Sequence, residues 1–327
     1  MEPLDSTKPK ATARSSPHGI AADLIAVLVA VTSGQPRVLT IQDQRALPSG
    51  PFELAHRSLQ SGLRAWVERQ TRLPLGYVEQ LYTFADRDRA GTTAKHVISI
   101  SYLGLTREQP ASGEYEASWH SWYDYFPWED HRLGAPPLIK QTLQPGLAGW
   151  ASAAPDRSVQ RSRRQRAAML FGFEDHAWNE ELVLQRYELL YEARLIAEAV
   201  RDNSSLAGSG KADLPAATGK SMILDHRRIL ATGIARLRAK IKYHPVVFEL
   251  MPDEFTLLQL QRSVEALAGK LVHKPNFRRL IEQQELVEET GATSQDTGGR
   301  PAKLFRFRRA VFAERAIAGT KLPVSGA

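Results

Sequence analysis

The sequence contains no cysteine, which excludes disulfides, thiolate metal sites and cysteine nucleophiles and fits a reducing compartment. It also lacks a long apolar run. The longest, "IAADLIAVLVAV" from Ile20 to Val31, is interrupted by Asp23 and is too short to span a bilayer, so it reads as a buried strand. The opening "MEPLDSTKPKATARSSPHG" is polar and of mixed charge, unlike a signal peptide, and a cytoplasmic protein with no membrane association is the expectation. There is no G-x-S-x-G elbow for a Ser-His-Asp hydrolase. His56, His96, His120, His131 and His176 have no metal-ligand spacing, so neither a catalytic residue nor a metal is expected.

What remains is enough for two domains: 327 residues, 43% of them hydrophobic, support real cores. Charge is unevenly placed. From Lys220 onward there are 19 Lys and Arg against 11 Asp and Glu, a net of +8 in a chain of +7, which leaves residues 1–219 at −1. A near-neutral domain followed by a basic one is the distribution expected of an appended nucleic-acid-binding domain, although a basic surface alone is often only solvated.

Strand-like runs "DLIAVLVAV", "RVLTIQ" and "HVISISYLGL" alternate with a helical segment over Leu54 to Gln70, an α+β pattern of helices on a sheet. "SGEYEASWHSWYDYFP" is aromatic, and "RSVQRSRRQR" (157–166) reads as an exposed basic loop. "WNEELVLQRYELLYEARLIAEAV" reads as one long helix capped by Asn179, ending at a Ser-, Gly-, Ala- and Pro-rich linker over 202–220. These features divide the chain into an arm (1–17), a first domain (18–201), the linker, a second domain (221–315) and a tail (316–327).

In the second domain a helix is expected from Ser221 to Lys242. Thr256 and Gln259 are spaced as a capping box and Gly269 ends that next helix. After "KLVHKP" comes "NFRRLIEQQELVEE", a basic helix, and then a Gly-rich loop between two strand-like pieces. Helix, turn, basic helix and hairpin is the order of a winged helix-turn-helix, whose second helix presents its first turns to the major groove. Candidate DNA contacts are Thr256, His273, Lys274, Asn276, Arg278 and Arg279, with Arg300, Lys303 and Arg306 on the wing.

The block "LRAKIKYHPVVFELMPDEFTLLQLQRSVEALAGKLVHKPNFRRLIEQQELVEETG" followed by "GGRPAKLFRF" resembles the winged-helix domain of the Nudix-related transcriptional regulators, the NrtR group and its alphaproteobacterial, NadQ-like relatives. "ALPSGPFELAHRSLQSGLRAWVERQTRLPLGYVEQLYTF" is similar to their Nudix-like sensor domain, an α/β/α sandwich. The resemblance implies a homodimeric, nucleotide-responsive repressor of NAD biosynthesis or salvage genes. It would bind palindromic double-stranded operator DNA, need no cofactor, and answer to ADP-ribose, NAD or ATP.

The Nudix box, G-x5-E-x7-R-E-U-x-E-E-x-G-U with U bulky and apolar, fits here in two registers. Counted from Gly50, the paired glutamates become Glu68 and Arg69; counted back from Leu73, they become Arg69 and Gln70. Neither keeps the acidic pair that holds Mg²⁺, so a non-catalytic sensor is implied. Guanidinium groups on such a helix suit phosphates instead, which makes Arg45, Arg64, Arg69 and Arg72 candidate ligand contacts, with Trp119 and Trp122 for ring stacking. Solvated arginines and a core-packed aromatic cluster are the plainer alternatives. The competing function is a hydrolase of a nucleoside diphosphate derivative with a rearranged metal site at Glu53, Glu68 and Glu79.

Overall fold

The computed structural model describes residues 20–76, 78–85, 96–110, 116–204, 218–241, 246–294 and 301–308. The expected arm, the tail, most of the linker and Arg300 lie outside the described residues.

A mixed sheet organises the first domain. It contains β1 (Ile20–Thr32), β2 (Gln35–Thr40), β3 (Ser49–Pro51), β4 (Val78–Phe84), β5 (His96–Leu105) and β6 (Ser118–Ser121), in the order β4-β5-β1-β2-β6, with β3 also on β1. β1 and β5 run parallel, from Ile20 opposite His96 to Val29 opposite Leu105, and the other pairs are antiparallel. A central strand covered on both faces needs apolar side chains on both, which is why Leu24 to Ala30 are apolar without a break and all buried.

The two faces hold different helices. Leu24, Ala26 and Leu28 pack with Leu63 and Val67 of α1 (Leu59–Thr71). Ile25, Val27 and Val29 share the larger core with Ile229, Ile234 and Leu237 of α6 (His226–Ile241), completing the α/β/α sandwich. Gly233 is what lets α6 approach: a Cβ there would stand 3.0 Å from Val27 Cγ1. The helix expected to open the second domain at Ser221 is therefore part of the first domain's sandwich.

Three further expectations are corrected. The first helix starts at Leu59 rather than Leu54, because Ser58 and Ser61 form a reciprocal capping box; Leu54 is fully exposed. The basic run 157–166 is not a loop but the start of α3 (Arg157–Phe171), capped by Asp156 and preceded by α2 (Gln144–Ser152). Long Arg side chains lose little rotamer freedom in a helix, and two of them are held: Arg163 lies 4.5 Å over the Trp150 ring and Arg166 pairs with Glu192 at 2.7 Å. The single helix expected from Asn179 is two, α4 (Val183–Glu192) and α5 (Ala197–Ser204). They are broken where Arg194 takes φ 56, and Asn179 Oδ1 instead accepts the Glu181 N–H in a turn. The break redirects α5 so that Glu198 accepts from the Met222 N–H and from Arg227.

The C-terminal part consists of α7 (Leu257–Ala268), α8 (Lys274–Gln283) and a hairpin of β7 (Val287–Ser294) and β8 (Ala302–Phe307). It is held to the sandwich by a buried seam. Glu129 accepts both Arg186 Nε at 2.6 Å and Arg186 Nη2 at 2.9 Å, and Arg238 of α6 at 2.5 Å; all three side chains are fully buried. Burial alone would raise the Glu129 pKa, but the two guanidinium groups outweigh it and hold the carboxyl below its ordinary value. Arg238 also donates to Leu267 O, Tyr123 Oη donates to Ala266 O at 2.7 Å, and the His131 N–H donates to Gly269 O at 2.7 Å. Gly269, the left-handed end of α7 (φ +71), sits so close that a Cβ would be 2.4 Å from Glu129 O.

Candidate nucleic-acid interface and sensor cleft

The α7–α8 unit is assembled from its own sequence. Thr256 and Gln259 complete the expected box, and the Glu265 carboxylate accepts from Gln261 and from the Val272 N–H, which fixes the turn between the helices. Phe277 and Ile281, four residues apart, are the buried side chains of α8. The side chains of His273, Lys274, Asn276, Arg278 and Arg279 are exposed and make no hydrogen bond or ion pair among the described residues. Arg279 and Asn276 lie roughly opposite the buried stripe, while Arg278 flanks it, at about 100° per residue. Phe255 bridges Phe305 through two backbone hydrogen bonds of 2.9 and 2.8 Å, adding a short third strand to the hairpin, and its ring lies 4.7 Å from that of Phe307. The basic helix ends at Gln283 rather than running on through "LVEE": Glu285 takes φ 50 and the chain turns into β7.

Three expected DNA contacts are otherwise engaged. Thr256 is only 4% exposed, and its Oγ1 accepts the Gln259 N–H, so it is a cap. On the wing, Lys303 bonds Glu289 at 2.8 Å and Arg306 bonds Glu288 at 2.6 Å. Their charge is matched by carboxylates across the hairpin, a pattern the alternating sequence "VEET…AKLFRF" contained.

The ligand candidates do not converge. Arg64 of α1 donates to the carbonyls of Leu75 and Gly76, tying down the chain that leads into β4. Arg69 lies 5.2 Å over the Trp66 ring, and Arg72 is the exposed left-handed end of the helix. Trp119 is half-buried on the α1 side of the sheet, with its indole N–H on Gln109 O. Trp122 is fully buried in the larger core and cannot stack on a ligand; Tyr123, Tyr125 and Trp128 are buried with it. Glu79 is occupied by Arg236 and Lys240 of α6, away from Glu53 and Glu68. Among the described residues no cluster of three His, Cys, Asp or Glu could hold a metal ion, and no helix is long and apolar enough to cross a membrane.

Sequence reasoning passed over a cleft of about 140 Å³ on the α6 side of the sheet, lined by Asp23, Ile25, Ser49, Phe84, Val97, Ser99 and Ile223 to His226. Asp23 and Ser99 are register partners on β1 and β5. His226 is buried and accepts the Leu47 N–H on Nδ1 at 2.8 Å; burial lowers its pKa to about 4, so the ring is neutral with its proton on Nε2. Arg45 stands beside the rim, its carbonyl accepting the Ile223 N–H at 2.8 Å and its side chain exposed. The one advance signal was Asp23, a lone carboxylate in a buried strand.

Comparison with known proteins agrees with this architecture. Residues 247–307 match the family model of the NrtR DNA-binding winged helix domain. A curated relative, the ADPR responsive transcriptional repressor NtrR of Acinetobacter baylyi, is 40% identical over 86 residues, 26% of this chain. The match spans about a third of the length of that relative, 34%. Among solved structures, Shewanella oneidensis NrtR complexed with a 27mer DNA aligns over 89% of this chain and 95% of its own, with 18% identity and a TM-score of 0.52. A MutT/nudix family protein from Enterococcus faecalis aligns over 94% and 90%, with 16% identity and a TM-score of 0.50. Residues 247–307 thus form a winged helix of the NrtR type, and the chain as a whole shares the fold of these two solved structures.

Proposed function

We propose that this protein is a cytoplasmic, nucleotide-responsive transcriptional repressor that binds a palindromic operator as a homodimer and controls NAD biosynthesis or salvage genes. The observation that carries the reading is the face of α8: two buried anchors seat the helix, and the side chains of Lys274, Asn276, Arg278 and Arg279 have no partner among the described residues. In this reading Arg279 and Asn276 face base edges, Arg278 and Lys274 face phosphates, and His273 and Arg300 contact the backbone nearby. Lys303 and Arg306 would have to exchange Glu289 and Glu288 for phosphates, which weakens their claim. The first domain runs through α6, and the DNA-binding domain starts between Ile241 and Val246.

The sensor is non-catalytic in this proposal. The Nudix register counted from Leu73 is supported by three positions: Val67 and Leu73 are buried where the motif has bulky apolar residues, and Arg72 is left-handed at the motif's second glycine. The glutamate pair is then Arg69 and Gln70, and Gln70 is spent on the Ser49 N–H and carbonyl at 3.0 and 2.7 Å. ADP-ribose is favoured as effector over NAD and ATP by the name of the Acinetobacter relative. The nucleotide lowers operator affinity if it favours a dimer geometry that misplaces the two α8 helices.

Operator binding by the purified protein, with and without each nucleotide and alongside a Mg²⁺-dependent hydrolysis assay, tests this. The expected result is binding that ADP-ribose weakens by about 5–150-fold, with no turnover. Failure to bind any DNA fragment from the regulated genes, or metal-dependent hydrolysis lost in Glu68→Gln, would reject it.

A further inference from the structure

We propose that α3 carries a second DNA-contact surface, in which Arg157, Arg161 and Arg164 hold backbone phosphates of the duplex beyond the stretch read by α8. This rests on the DNA-binding reading above and adds a contact made by the first domain.

The charge on α3 is not explained by the fold. The helix carries five arginines and no acidic residue, within residues 1–219, whose net charge is −1. Arg163 donates to Trp150 O and lies over its ring, and Arg166 pairs with Glu192. The other three side chains are exposed and make no hydrogen bond or ion pair among the described residues. Arg157 and Arg161 stand four residues apart, where like charges destabilise a helix, and both lie in its first two turns, toward the end where the macrodipole disfavours cations. Asp156, the acid before them, caps the Val159 N–H. The stripe therefore costs the helix stability and is matched by a polyanion. Its three guanidinium groups spread over about 10 Å, too far apart to close on one phosphate, whereas duplex DNA carries roughly six charges over that length.

The same face of α3 leads to the DNA-binding domain. At about 100° per residue, Arg157, Arg161 and Arg164 are in line with Ala168 and Phe171, both buried. The Phe171 ring stands edge-on to Trp178 with centroids 6.4 Å apart, Trp178 lies 3.9 Å from the His131 ring, and the His131 N–H reaches Gly269 O at the end of α7. Lys270, the next residue, pairs with Glu180 at 2.7 Å. The stripe thus runs from about 10 to about 21 Å along α3 from the seam that seats the turn into α8. That is less than one turn of duplex, roughly 34 Å. Arginines so placed grip phosphates and read no sequence.

Binding of the full chain to random-sequence duplexes of about 40 and about 10 base pairs, four turns and one, tests this independently of any operator. The variant combines Arg157→Gln, Arg161→Gln and Arg164→Gln, which remove charge and keep helix propensity. Three phosphate contacts contribute about 2.7 to the slope of log affinity against log salt, so for each bound chain a fourfold rise in salt should cost the parent roughly fortyfold more affinity on the long duplex than it costs the variant. The short duplex should bind both alike. The variant should melt no lower than the parent, and the corresponding triple Lys substitution, which restores the charge, should keep most of the long-duplex affinity. If the Gln variant matches the parent on the long duplex in affinity and salt slope while Arg278→Ala with Arg279→Ala loses binding, the α3 contact is overturned and the α8 reading stands. An equal loss on both lengths, or a Lys variant that binds no better than the Gln variant, also overturns it. Loss of binding to phosphatidylserine vesicles with DNA affinity intact would give the stripe to a lipid surface instead. If the unaltered chain binds neither duplex at low salt, the DNA-binding reading falls and the α3 contact falls with it.

Discussion

On α1 the Arg64 guanidinium is bound to the carbonyls of Leu75 and Gly76 and Arg69 lies over Trp66, whereas on α8 the side chains of Arg278 and Arg279 are exposed with no partner among the described residues. In sequence the two helices look alike, each a short amphipathic segment with several arginines. The difference is what lies within reach. α1 is followed at once by a chain that folds back along it and presents carbonyls, while α8 is followed by a hairpin whose cations meet its own carboxylates and leave the helix face alone. A third group, Arg186, Arg227 and Arg238, is fully buried and spent on Glu129, Glu198 and backbone carbonyls. Counting arginines therefore says little; the supply of nearby acceptors decides which of them can recognise something else.

The buried group should give the largest effect. Removing one partner of a buried ion network leaves an uncompensated charge, at a cost of about 3–5 kcal/mol. Glu129→Ala strands two guanidinium groups in the seam between α4, α6 and the end of α7. Denaturant unfolding should show that loss, and a cost under ~1 kcal/mol would mean that water reaches the seam and that it does not bind the domains together.

The next effect comes from His226 and sharpens the contrast between buried and free cations. Its folded pKa of about 4 lies below the ordinary value near 6.5, so the folded state resists its protonation. The neutral ring's stabilisation is fully present above about pH 6.5 and is lost as pH falls toward 4. The linkage amounts to on the order of 3 kcal/mol. Partly buried His120 and His131, also lowered chiefly by burial, act in the same direction, so the measurement is a difference. His226→Asn keeps an acceptor near Leu47 N and should flatten the stability profile between pH 6.5 and 4. An unchanged slope would place the acid sensitivity elsewhere.

For α8, Arg279→Ala should cost about 1–3 kcal/mol of operator affinity and relax preference at one base pair. Arg278→Ala should weaken all sequences alike and lower the salt dependence by about one phosphate contact. Neither should change thermal stability, because both side chains are exposed and make no hydrogen bond or ion pair among the described residues. Affinity at fixed salt that survives the double substitution would remove α8 as the reading helix.

Much of this second domain was legible in the sequence because its signals are local: a capping box at Thr256 and Gln259, a terminating Gly269, alternation in β8. The core sheet was legible for a similar reason, since a central strand must be apolar on both faces. What was missed depends on distant residues. Nothing local says that α6 packs on β1, since that requires Gly233 to meet Val27 across some two hundred residues of chain. Nothing local says that Arg194 breaks a helix whose apolar periodicity continues through it. Sequence alone makes Trp122 a candidate ligand contact because an aromatic cluster has the same composition in a pocket as in a core. The cleft was invisible for the complementary reason: Asp23, Ser99 and His226 come from three separate stretches and meet only through the sheet register and the path into α6.

The smallest effect falls on α1. Arg64→Ala removes two hydrogen bonds to carbonyls at a partly exposed site, worth together about 1–2 kcal/mol, so the protein should be modestly less stable. Because Arg64 is spent on its own chain, the same substitution should leave the nucleotide response of operator binding intact. Arg45→Ala should do the reverse: that side chain is exposed and makes no hydrogen bond or ion pair among the described residues, and removing it should cost phosphate affinity with no change in stability. The comparison turns on the pair measured together, by thermal unfolding and by titration of operator binding with ADP-ribose. If Arg64→Ala abolishes the response while Arg45→Ala preserves it, the phosphates lie on the α1 side of the sheet, the carbonyl contacts of Arg64 are given up on binding, and the division between tethered and free arginines fails where it matters most.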